Sequence, residues 1–132
     1  MLLVAMPAVS IVSATCFMSA LKRFMGETPR IDTAADLEIF KSVVKKQMYA
    51  ALIQIALLGL PIVLFVIGSL TQTLRLGDFV YVLIPNLVVI IAGRILRRVE
   101  RKAQMLPVSD PQLEKARNDI VRTWEKKALP DW

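Results

Sequence analysis

The sequence predicts an all-α integral membrane protein: a transmembrane helical hairpin, a third span at the N-terminus, and amphipathic helices on one side of the membrane. Three observations carry this expectation. Residues 50–70 include no charge, and at ~1.5 Å per helical residue they reach ~31 Å, about one hydrocarbon core. A second uncharged stretch, 79–93, follows after TQTLRLGD, a link too short for anything but a tight turn. All but one of the 17 basic residues lie at the opposite end of the hairpin from that link, which holds Arg75. Hydrophobic residues make up 55% of the chain, above the ~45–50% of soluble domains. They occur in blocks, which excludes a large water-soluble core within a chain of 132 residues.

Taken in order, residues 1–21 form an uncharged run followed by Lys22 and Arg23. A secretory signal would carry its basic residues before the apolar run. A transmembrane helix fits better, although Ser10, Ser13, Thr15 and Ser19 dilute it. Small hydroxylated residues at such spacing suit a helix packed on other helices. A surface-lying segment and a cleaved signal are the alternatives. Cys16, the single cysteine, is expected to be a buried structural thiol, because cysteine in an apolar run behaves as a small hydrophobe.

Residues 22–49 read as a basic amphipathic helix leading into the span. GETPR at 26–30 is a break, and Thr33 with Asp36 resembles a capping box. Leu37, Phe40, Val44 and Met48 then recur at helical spacing with Lys41, Lys45 and Lys46 off the stripe. Nothing stops this helix before residue 70. Its apolar stripe either lies on the membrane or packs on the C-terminal tail.

The hairpin occupies 50–96. Pro61 and Pro85 each free a carbonyl one turn earlier, at Leu57 and Tyr81. Lipid offers such groups no partner, and the Asn86 amide is placed to donate to one of them. Counting from the turn sets Gln54 level with Arg94, and Ala56 level with Ala92, a pairing that allows close backbone approach. Gln54 and Asn86 are therefore the candidate interhelical polar residues. A mid-membrane polar site for an ion or pigment is the other reading of the pair. Arg94 ends the second span by extending its head to the interface.

Residues 97–132 form a basic amphipathic tail. Arg94, Arg97, Arg98, Arg101 and Lys102 are candidate lipid-headgroup contacts, since juxtamembrane cations attract anionic lipid. Asp110 as N-cap and Pro111 in the first turn start a helix with Leu113, Ala116, Ile120 and Trp124 on one face. Leu113, Ile120, Trp124 and the terminal Trp132 are the candidate partner-binding residues, tryptophan often carrying interface energy. On this helix Lys115 and Asp119 are spaced as an ion pair.

With no histidine and one cysteine, a catalytic triad, histidine-ligated haem and an ordinary zinc site are excluded. The glycines form no phosphate-binding loop. The expectation is a non-enzyme with no cofactor, no metal, no small-molecule substrate and no nucleic-acid partner. Positive charge marks the inner side. The C-terminus is then cytoplasmic, or matrix or stromal, and the N-terminus outside, in a bacterial inner membrane or an organelle membrane of bacterial descent. The leading functional expectation is an accessory or assembly subunit of a larger membrane complex, with a respiratory or photosynthetic one as the example. A self-associating, holin-like pore is the alternative, and a lipid-binding scaffold the third. Expected partners are other membrane subunits and anionic lipids.

Overall fold

The computed structural model describes residues 2–131, with side chains from residue 5, and is all-α with three helices long and apolar enough to cross a membrane. The chain is an integral membrane protein. Trp132 lies outside the described residues. The elements are α1 (Leu2–Glu27), α2 (Ala34–Leu70), a 3-10 turn (Leu76–Phe79), α3 (Val80–Gln104) and α4 (Pro111–Lys126).

Helix α1 runs six residues past the apolar stretch and carries Lys22 and Arg23 within it, closed by the Arg23–Glu27 ion pair at 2.7 Å. Its packed face is Pro7, Ser10, Ala14, Leu21 and Phe24, residues three, four or seven apart. Small side chains at Ser10 and Ala14 let neighbouring backbones come close. Both other spans pack along α1, whereas α2 and α3 touch each other sparsely. The expected close approach at Ala56 and Ala92 is therefore not made. Ala56 is exposed, and each hairpin arm packs on α1 more than on the other arm. Cys16 also departs from expectation. It is exposed on the outer side of α1, because the buried stripe passes through Ala14 and Leu21 and leaves residue 16 facing away.

Helix α2 starts where the sequence indicates. Thr33 Oγ1 accepts from the Asp36 amide at 3.2 Å, and the Asp36 carboxylate accepts from the Thr33 amide at 3.1 Å. At 37 residues it is ~55 Å long, nearly twice a ~30 Å hydrocarbon core, so its first turns project from the membrane with their charges. At the far end the turn is closed by backbone bonds from Thr73 and Leu74 to the Gly68 carbonyl, at 2.9 and 3.0 Å. The Leu74 side chain lies where a Cβ on residue 68 would stand, 2.6 Å from its Cδ1. Phe65 and Phe79 meet across this turn in a tilted arrangement with ring centroids 5.2 Å apart.

The projecting turns of α2, the end of α1, α4 and both linkers form a compact cap at the charged end. Phe24, Ile31, Phe40, Val44, Met48, Leu106 and Ile120 make its core, with Leu37 and Trp124 packed against them. The two linkers are tied together. Ile31 donates to the Pro107 carbonyl at 3.0 Å, and Ser109 donates to the Ile31 carbonyl at 3.4 Å. Of the two placements open for the α2 stripe, packing on the C-terminal tail is the one adopted. Asp110 caps α4 by accepting from the Gln112 amide at 2.9 Å, with proline in the first turn. Arg117 then reaches back to the Leu106 carbonyl at 2.8 Å and pairs with Glu114 at 3.8 Å. It takes the ionic role on α4 that the spacing assigns to Lys115 and Asp119.

Candidate functional site

Because each hairpin arm packs on α1 more than on the other arm, α2 and α3 leave a cleft between them at the charged end of the membrane span. It has a volume of about 370 Å³, at the lower end of the ~300–1,000 Å³ typical of ligand clefts. Its walls change character with depth. Ile55, Leu58, Val89 and Ile90 line the part towards the membrane interior, Gln54 and Gly93 the middle, and Arg94, Arg97 and Glu100 the mouth. Gln54 and Arg94 thus line one cleft.

The Gln54 Nε2 is buried and has no hydrogen-bond partner. Asn86 uses its amide differently from expectation. Its Nδ2 donates to the Val82 carbonyl at 2.9 Å, one turn back on α3 itself, and its Oδ1 is left buried without a partner. Neither carbonyl freed by a proline is its acceptor, because the side chain lies along its own helix. The polar link between helices comes instead from Gln47, which is buried on α2 and donates to the Phe17 carbonyl of α1 at 3.0 Å. Gln47 sits just below the uncharged run, one residue from Met48 of the apolar stripe, and that position is the sequence signal that marks it.

A second cleft of about 360 Å³ adjoins the first and shares Arg97 and Glu100 with it. Its remaining walls are Arg101, Gln104, Trp124 and Glu125. The basic residues Arg94, Arg97, Arg98, Arg101 and Lys102 are all exposed. They follow one another down α3 towards its C-terminal end. The partner-binding candidates divide. Ile120 is buried in the cap core and is closed to any partner, because the α2 stripe already covers it. Leu113 and Trp124 are half-buried.

Among the described residues no group of three or more His, Cys, Asp or Glu side chains is placed to hold a metal ion. No protein family, curated protein or solved structure matches the chain. Fold and site together define the class, an all-α membrane protein with three helices long and apolar enough to span, a folded cap and a lateral cleft.

Proposed function

We propose that the protein is a non-catalytic accessory or assembly subunit of a larger membrane complex. The observation that carries this reading is the outward face of α1. Opposite its packed stripe α1 presents Ala5, Ala8, Thr15, Cys16 and Ser19 together with two valines, Val9 and Val12, all exposed. The outward faces of α2 and α3 are instead built from Ile, Val and Leu, such as Ile62 and Ile91. Mean hydropathy follows the same division, 1.4 for the α1 span against 2.7 and 2.2 for the other two. Bulky aliphatic faces suit lipid. A face of small residues with hydroxyl groups suits a neighbouring helix, because association inside a membrane depends on close packing and hydrogen bonds.

The cap's self-contained core leaves α1 as the principal contact surface and Trp124 as a lesser one. The basic end is assigned to the cytoplasmic, matrix or stromal side by its charge, in an energy-transducing membrane as the example. Extraction in mild detergent, followed by sizing and identification of what co-migrates, tests the reading. The expected result is a particle containing other proteins, lost in an Ala8→Phe, Thr15→Phe variant that still inserts. A homo-oligomer alone would reject it and move the self-associating pore to first place.

A further inference from the structure

We propose that the cleft between α2 and α3 is a binding site for one anionic phospholipid, held with an acyl chain along Leu58 and Ile90 and its phosphate at Arg94 and Arg97. The order of chemistry along the cleft matches that of such a lipid. Leu58 lies one helical turn, ~6 Å, deeper than Gln54, and Ile90 lies ~10 Å deeper than Arg97. Between these levels Gln54 lines the cleft with a polar side chain. At the mouth two guanidiniums face one acid, Glu100, which leaves it net positive for a phosphate. Arginine suits that group because its planar fork matches two phosphate oxygens.

The backbone of α3 adds to the room. A Cβ on Gly93 would meet nothing within 4 Å, so the glycine holds space open at mid-cleft. The same is true of Gly59 on α2, which is not part of the cleft wall and serves as a matched control. This inference is independent of the accessory-subunit reading.

The test is native mass spectrometry of the detergent-solubilised full chain with added phosphatidylglycerol or phosphatidylcholine. The wild type is expected to retain one phosphatidylglycerol in preference to phosphatidylcholine. Gly93→Leu keeps every charge and fills the cleft, and is expected to lose that lipid, whereas Gly59→Leu retains it. Arg94→Gln with Arg97→Gln is expected to weaken phosphatidylglycerol retention about thirtyfold while preserving the fold. Equal retention of the two lipids would overturn the proposal. So would wild-type retention by Gly93→Leu, which would assign the lipid to the exposed basic residues at large. Loss of a co-purifying protein from Gly93→Leu with lipid unchanged would also overturn it, in favour of a protein occupant.

Discussion

The cap and the membrane half of this molecule solve the burial problem in opposite ways. In the cap, three helices and two linkers converge on a core where Phe40, Val44 and Ile31 are completely buried. Its helix starts are capped and its linkers hydrogen-bond to each other. In the membrane half the helices touch mainly through α1, and most large aliphatic side chains face outward. The polar atoms Ser10 Oγ, Gln54 Nε2, Ser69 Oγ and Asn86 Oδ1 are buried there without partners. Water drives the first arrangement, since burying a large apolar side chain gains ~1.5–3 kcal/mol. Lipid supplies no such drive between helices. The cap is complete as it stands, whereas the membrane half has a cleft and a small-residue face that further molecules can fill.

Substitutions that probe the two halves should differ in size. Phe40→Ala removes a fully buried ring whose centroid lies 6.1 Å from that of Phe24. It is expected to destabilise the cap by ~3–5 kcal/mol, read as exposure of α4 amides to hydrogen exchange while the spans stay protected. Equal loosening of the spans would show that the two halves unfold as one. Gln47→Leu, at the junction, removes the bond to the Phe17 carbonyl. The expected loss is ~0.6 kcal/mol and at most ~1.7 kcal/mol, measured by denaturant titration in detergent. The smallest effect belongs to Asn86→Leu, whose only bond runs within its own helix. That variant should insert normally and lose less stability than Gln47→Leu. Loss of activity in a stably folded Asn86→Leu protein would restore the mid-membrane polar site.

What was legible in the sequence is what local chemistry dictates. Thr33 with Asp36, and Asp110 with Pro111, mark helix starts because the capping partners lie within three residues. The two uncharged runs mark spans because length and hydropathy suffice. The tertiary choices were less visible. The α2 stripe is compatible with a membrane surface or with α4, and only the meeting of Phe40 with Ile120 in the cap core decides between them. The same burial removes Ile120 from the contact surface that its amphipathic spacing suggests. Cys16 turns outward because Pro7, Ser10 and Ala14 set the packed face, a pattern that residue-by-residue hydropathy does not reveal. That Gln54 and Arg94 line one cleft agrees with a count from the turn. That each arm would pack on α1 more than on the other could not be counted in this way, since it depends on which of three apolar helices the others choose to pack against.

The position of Cys16 makes the most direct test of the central claim, that the outward face of α1 packs on another protein. A membrane-permeant maleimide carrying a photoactivatable group would be attached to this single thiol in native membranes and then illuminated. The account predicts a discrete heavier product containing a second, different protein, which disappears when Cys16→Ser is treated in the same way. Products containing lipid alone, or only a second copy of this chain, would contradict it.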